Sequence, residues 1–320
     1  MRKLILIREL PVTVLCAGLF IYFALRVPNF TDGLGILDDI KQYASYAILA
    51  VGLTLIIGSG GIDISVGSVL GFSTVLLGVV LSRTGSSLAV ACLLAIAAGT
   101  AWGAFNGLAV ARLRLQPIVV TLSTWAAARG LAYVMAGQGI SSIKLPDSAE
   151  SLSNMTYGSP APVVLALVVA VAGWLVLSRT PFGRHILAIG SNEEAARLSG
   201  IDVSRVKLSV YAITGFLAGL AGVITAGMMN TATTEAGLGY EFEAITAVLI
   251  GGTSISGGEA TVLGSALGVI AVALLNRGLG LLGINDLDLW RMLCLGVILI
   301  ASVMLDRLRK HAARKSAKAA

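Results

Sequence analysis

Long apolar segments alternate with short polar ones along almost the whole chain. Many of the apolar segments approach the roughly 20 residues that a helix needs to cross the hydrocarbon core of a bilayer. Their apolar residues are continuous rather than alternating with polar ones, which favours helices over the strands of a membrane β-barrel. We therefore predict an all-α polytopic membrane protein. The predicted crossings number ten, at about 10–27, 44–60, 64–82, 88–111, 117–136, 162–178, 208–229, 242–257, 260–276 and 289–305.

The basic residues set the orientation of these crossings. An even number of crossings places both termini on one side. If that side is the cytoplasm, sixteen of the 23 lysines and arginines lie there, as the positive-inside rule requires. We therefore predict cytoplasmic N- and C-termini, a single transmembrane domain over residues 1–320, a cytoplasmic loop at 179–207 and a basic cytoplasmic tail at 306–320 beside anionic lipid.

Composition excludes several classes of protein. With 56% hydrophobic and 12% charged residues, the chain does not match a soluble globular domain. The net charge of +6 follows the membrane topology, so we expect no nucleic-acid partner. The chain has no Gly-Lys dipeptide for a phosphate-binding loop and no His-Glu-x-x-His zinc motif. We therefore expect no catalytic residue, no metal site and no cofactor on this chain.

The loop at 179–207 is the longest charged segment of the sequence. Ser191 and Glu194 have the spacing of a capping box, and Gly200 can end the helix that begins there. A helix of about two turns is too short to be stable alone in water. Ala195, Leu198 and Ile201 give it one apolar edge by which a neighbour can hold it. That neighbour is either a partner protein or the rest of this chain.

One internal similarity appears when the chain is shifted by 193 positions, which places residues 58–65 on residues 251–258. Both copies put glycines and hydroxyl side chains between apolar segments, including Ser65, Thr253 and Ser254. Glycine-interrupted hydrophobic segments in corresponding positions are typical of transport sites. Either a short motif is reused in parallel, or one predicted crossing consists of two half-helices.

Four charged residues lie at or near membrane depth, where such residues are functional candidates. Asp63 either contacts a solute or caps the helix that starts near Ser65. Arg129 either neutralises Asp63 or faces an aqueous cavity. Glu241, with Glu243, either forms an external gate or places negative charge at a helix N-terminus.

Several embedded side chains can hydrogen-bond a polyhydroxylated solute. The same small polar residues also serve as packing contacts between membrane helices. They are Asn106, Thr121, Ser123, Thr124 and Asn276.

Three long motifs occur in order at 59–68, 188–201 and 239–258. Over nearly its whole length the chain resembles the permease subunits of bacterial ABC importers for monosaccharides, of the ribose, xylose and galactose type. Two positions depart from the family pattern, Glu259 and Arg277. These two differences leave open that the partner protein or the sugar differs from those of the best-known members of the family.

The resemblance implies a multi-pass protein of the bacterial inner membrane that translocates a monosaccharide. It implies a second permease copy or a paralogue, a periplasmic sugar-binding protein, and a cytoplasmic ATPase that holds ATP and magnesium. It also identifies the short helix of the 179–207 loop as the coupling helix that docks on the ATPase. The implied coupling residues are Arg184, Asn192, Glu193, Glu194, Ala195, Arg197, Leu198 and Gly200.

Two alternatives stay open. A permease of the same superfamily can carry a polyol, a furanosyl signal or a branched-chain amino acid. An ion-coupled secondary carrier needs no ATPase, but it is expected to bury several acidic residues, and Asp63 is nearly alone in the apolar segments.

Overall fold

A computed structural model describes residues 9–137, 139–283, 289–302 and 304 of the chain. Nearly all of this part is helical. Its helices are α1 Leu10–Arg26, α2 Gly33–Gly58, α3 Val66–Thr84, α4 Leu88–Ala111, α5 Pro117–Ala136, α6 Glu150–Thr156, α7 Ala161–Arg179, α8 Pro181–Ser191, α9 Glu193–Leu198, α10 Val203–Met229, α11 Tyr240–Ile250, α12 Val262–Leu281 and α13 Leu289–Ser302. Within the described residues, the strands are β1 Ser142–Lys144 and β2 Thr231–Thr233, which pair antiparallel.

Among the described residues, seven helices are long and apolar enough to cross a membrane, namely α2, α3, α4, α5, α7, α10 and α12. Helices α1 and α13 are apolar but shorter. The all-α polytopic class is therefore confirmed. The predicted tail at 306–320 and the basic residues before position 9 lie outside the described residues.

Successive connections lie at alternate ends of the helix bundle. At the end that carries α8 and α9, the α9 end, the N–H of Gly258 donates to the carbonyl of Gly58 over 3.0 Å. At the opposite end, β1 pairs with β2, and Arg83 donates to the carbonyl of Ala136 over 2.7 Å. This alternation is the pattern that repeated crossings of a bilayer produce.

Helix α2 begins earlier than the hydropathy pattern predicts. Residues 33–43, predicted to be part of an external loop, are helical. The side chain of Asp32 caps this helix by accepting from the N–H of Gly35 over 2.9 Å, and Asp38 pairs with Lys41 one turn later. Capping and an i,i+3 ion pair extend a helix without adding apolar residues, so a hydropathy pattern does not detect the extension.

The prediction of one continuous membrane helix at 242–257 is wrong. Helix α11 has 11 residues and spans only about 16 Å. Before it, residues 234–239 are non-helical but lie level with the middle of α5, because Arg129 donates to the carbonyls of Thr234 and Ala236. This stretch is therefore a series of turns followed by a half-helix. Gly237 and Gly239 have positive φ angles of 71° and 81°, which end any helical continuation.

Helices α4 and α10 pack backbone against backbone. A Cβ at Gly103 would lie 2.8 Å from the Cα of Gly215, and one at Gly99 would lie 2.8 Å from the Cα of Gly219. Glycines four residues apart let two membrane helices approach this closely. The two helices therefore form one tightly packed pair.

Candidate functional site

The loop between α7 and α10 folds into two helices joined by Asn192. The Oδ1 atom of Asn192 accepts from the N–H of Ala195 over 2.9 Å and caps α9. The predicted capping box is therefore wrong, because Ser191 is still helical and donates to the carbonyl of Leu187. Gly200 ends the helix with a φ of 85°, as the sequence predicts.

Helix α9 presents an uncovered surface. Leu198 is 81% exposed, and Ala195, Glu194, Arg184 and Gly200 are exposed as well. The predicted apolar edge is divided, since Ile201 is half-buried against the protein while Ala195 and Leu198 face outwards. The side chain that α9 buries is Ala196. Ala195 and Leu198 therefore place two apolar side chains on the exposed face of α9.

Glu193 makes two ion pairs at the start of α9. Its Oε2 atom lies 2.6 Å from Nζ of Lys207, and its Oε1 atom lies 3.0 Å from Nη2 of Arg197. Partial burial acts to raise the pKa of the Glu193 carboxyl, but the hydrogen bond and charge of Lys207, aided by Arg197, outweigh it and hold that pKa below its ordinary value. Glu193 is therefore an anion at neutral pH.

The two copies of the internal motif meet beside α8. We call Gly58, Gly60, Gly190, Gly257 and Gly258 the glycine junction. A Cβ at Gly257 would lie 2.8 Å from the Cα of Gly60 and 2.9 Å from the Cα of Gly190. Both copies connect a helix that runs towards the α9 end with one that returns, so the copies are parallel.

Asp63 orders the turn that precedes α3. Its Oδ1 atom accepts from the N–H of Ser65 over 2.7 Å and from the hydroxyl of Ser65 over 2.6 Å. Asn106 donates to that hydroxyl over 2.9 Å, and Thr121 donates to the carbonyl of Ile62 over 3.3 Å. Asp63 is 2% exposed. These contacts give Asp63 a structural role in the turn, but they do not make it the cap of α3, because the N-cap is Ser65 and has no side-chain cap hydrogen bond. Ser65, Asn106 and Thr121 join α3, α4 and α5.

Arg129 holds the turns before α11, residues 234–239. It donates to the carbonyls of Thr234, Ala236 and Gly67 over 2.6, 2.8 and 3.3 Å. The prediction that Arg129 neutralises Asp63 is therefore wrong, because carbonyl groups take its hydrogen bonds and Glu241 is its carboxylate neighbour.

Glu241 lies buried beside this contact at 1% exposure. It accepts from the indole of Trp125 over 3.0 Å.

A second polar cluster joins α2, α11, α12 and α13. Asn276 donates to the hydroxyl of Tyr43 over 2.5 Å and to Glu243 over 3.3 Å. Arg291 lies 3.3 Å from Glu243. The remaining predicted residues make hydrogen bonds close to their own positions in the sequence. Ser123 donates to the carbonyl of Val119 within α5. The hydroxyl oxygens of Thr253 and Ser254 accept N–H groups of the loop between α11 and α12.

Two of the predicted solute contacts, Asp63 and Arg129, therefore contact the start of α3, whereas Asn276 belongs to the second cluster. Sequence reasoning missed Tyr43, Trp125, Lys207 and Arg291. Two of them could have been found, because Arg291 and Trp125 lie inside apolar segments, where an arginine or a tryptophan is unusual. Among the described residues, no group of three or more His, Cys, Asp or Glu could hold a metal ion.

Comparison with known proteins covers almost the whole chain. The model of the family described as branched-chain amino acid transport system permease component matches residues 35–303. The ribose import permease protein of Bacillus subtilis (strain 168) is 36% identical over 296 residues, 91% of each chain. The fructose import permease protein of Rhizobium meliloti is 31% identical over 318 residues, 95% of this chain and 86% of that protein. No solved structure matches. The chain therefore belongs to the family of branched-chain amino acid transport system permease components.

Proposed function

We propose that this chain is the membrane subunit of an ATP-driven importer that carries a monosaccharide across the bacterial inner membrane. Relatives over most of its length are named as ribose and fructose import permeases. The observation that carries the proposal is the exposed surface of α9, on which Leu198 is 81% exposed. An apolar residue on a short surface helix fits the groove of a partner protein.

In this proposal the chain has ten crossings and forms one domain over residues 1–320. The α9 end faces the cytoplasm, with 179–207 as the coupling loop and 306–320 as the basic tail. A separate ATPase with ATP and magnesium docks there, and a periplasmic sugar-binding protein docks at the opposite end. A second copy or a paralogue completes the path. The proposed path residues are Asp63, Ser65, Asn106, Thr121, Ser123, Arg129, Glu241, Thr253, Ser254 and Asn276.

The docking surface can be tested with Leu198→Asp. Because Leu198 is almost fully exposed, the variant should fold normally, while a charge in the partner's groove removes an apolar anchor. Loss of such an anchor costs about 2 kcal/mol or more, a weakening of roughly thirtyfold. We expect the variant permease to be purified without its ATPase and to support no uptake. Leu198→Met, which keeps an apolar side chain of similar size, should retain both.

If Leu198→Asp still binds the ATPase at wild-type strength, α9 is not the docking element. ATP-dependent uptake also separates this function from an ion-coupled carrier. Vesicles that contain the permease alone should accumulate no solute under a proton or sodium gradient. Accumulation without nucleotide would refute the proposal.

A second candidate substrate follows from the description of the matched family, which names branched-chain amino acids. Competition for uptake between labelled ribose, fructose and leucine in cells that lack the chromosomal permease decides between the two classes. The proposal expects sugars to compete and leucine to have no effect.

A further inference from the structure

Helix α9 packs weakly against the rest of the protein. It has six residues, it is preceded by the extended residue Asn192 and followed by Gly200, and the side chain it buries is Ala196. A helix this short does not keep its position by backbone hydrogen bonds alone. If a partner pushes on α9, specific contacts between α9 and its neighbours help to carry the movement to the membrane helices.

Glu193 supplies a contact that crosses from α9 to a membrane helix. Its Oε2 atom is 2.6 Å from Nζ of Lys207, which lies in the second turn of α10. The side chain of Lys207 is 15% exposed, so the pair lies against the protein rather than in open solvent. Arg197 also pairs with Glu193, but it belongs to α9 and adds no connection between helices.

Helix α10 is in turn fixed to α4. A Cβ at Gly219 would lie 2.9 Å from the Cα of Ile96, and one at Gly107 would lie 2.9 Å from the Cα of Leu208. The glycine contacts therefore continue along the paired length of the two helices, down to the turn next to Lys207. Packing this close leaves no space in which α10 can move without α4.

We infer that the ion pair between Glu193 and Lys207 is a positioning link that transmits displacement of α9 to the α10–α4 pair. This inference rests on the proposed function, in which an ATPase moves α9. It assigns Glu193 to a contact inside the permease and leaves the ATPase surface to Leu198 and its exposed neighbours. The carboxylate of Glu193 is 42% exposed, so the pair adds little to folding stability. Its removal should leave the fold intact and affect the transmission of movement.

The test compares Lys207→Met with Lys207→Arg in proteoliposomes that hold the complete importer. The measured quantity is the number of sugar molecules taken up per ATP hydrolysed. We expect Lys207→Met to bind its ATPase and to unfold at the wild-type temperature, but to lower this ratio about tenfold, a typical size for coupling between sites. Lys207→Arg keeps the charge and should restore most of the ratio.

Glu193→Gln completes a double-mutant cycle. If the two residues act through their contact, Glu193→Gln combined with Lys207→Met should be no worse than either change alone. The control is Arg205→Met, which removes another pair, of 2.9 Å between Arg205 and Asp202, at the start of α10 without linking two helices. It should leave the ratio unchanged.

The inference is overturned if Lys207→Met keeps the wild-type ratio, or if the two changes are additive. Loss of ATPase binding by Lys207→Met also overturns it, since the pair would then shape the docking surface instead of transmitting movement. Failure of the proposed function is distinguishable, because the wild-type permease would then show no ATP-dependent uptake at all.

Discussion

Replacement of Gly190 by alanine is expected to abolish uptake and to reduce the amount of folded permease. A Cβ at Gly190 would overlap the carbonyl oxygen of Gly58 and the amide nitrogen of Gly258, which are hydrogen-bonded to each other. Both are backbone atoms and cannot rotate away as a side chain would. Overpacking of a well-packed contact costs about 1–3 kcal/mol, and we expect the upper part of that range here. Thermal unfolding in detergent and sugar uptake in cells measure the two effects.

Gly130→Ala is the matched control for this experiment. Gly130 lies inside α5, and a Cβ there meets nothing within 4 Å. Alanine favours a helix over glycine by about 1 kcal/mol, so this variant should be as stable as the wild type or more so. Wild-type uptake and stability in Gly190→Ala would show that the glycine junction separates without cost, and that its three segments do not need to be in contact.

The hydropathy pattern was sufficient to predict most of the helices. Apolar segments at 88–111 and 117–136 coincide with α4 and α5, because the length of a buried apolar run fixes the length of a membrane helix. The same pattern fails at α11. There the chain is apolar but is not helical throughout, and the glycines that break it are visible in the sequence only as residues that permit a turn.

The partners of the polar residues could not be predicted in the same way. Arg129 contacts carbonyl groups 105 and 107 residues further along the chain, and Asn106 contacts a hydroxyl 41 residues away. A local pattern carries no information about such distant contacts. It also does not decide between neighbours such as Ser191 and Asn192, either of which can cap a helix chemically. The backbone conformation decides, and Asn192 is the extended residue.

Both copies of the internal motif were recognisable in the sequence, whereas their contact with each other was not. Similar segments can serve equivalent positions without touching. In this protein they touch because both loops lie at the α9 end and because glycine at five positions allows three backbones to meet. At the glycine junction, the end of α8 packs against the α2–α3 connection and the α11–α12 connection. Asn192, the cap of α9, follows directly after α8. A movement of the coupling loop in the proposed importer would therefore reach both helix pairs.

Arg129→Met is expected to have the second large effect, a loss of folded protein together with uptake. Arg129 is 8% exposed, and its guanidinium satisfies the carbonyls of Thr234, Ala236 and Gly67. Lipid cannot replace those hydrogen bonds, and non-helical backbone at this depth needs protein partners. The buried carboxylate of Glu241 also loses its cationic neighbour. Removal of one partner from a buried charged group costs roughly 3–5 kcal/mol. The unfolding temperature in detergent and the yield from membranes measure this loss.

Arg83→Met provides the comparison for this prediction. Arg83 donates to one backbone carbonyl, that of Ala136, but it lies at an exposed helix end where water can take its place. Arg83→Met should therefore unfold near the wild-type temperature, although it makes the same chemical change as Arg129→Met. Arg129→Lys should fall between them, since a lysine keeps the charge beside Glu241 but lacks the planar fork that reaches carbonyls on two segments. Equal stability of Arg129→Met and Arg83→Met would contradict the role of Arg129, because the turns before α11 would then keep their position without the guanidinium.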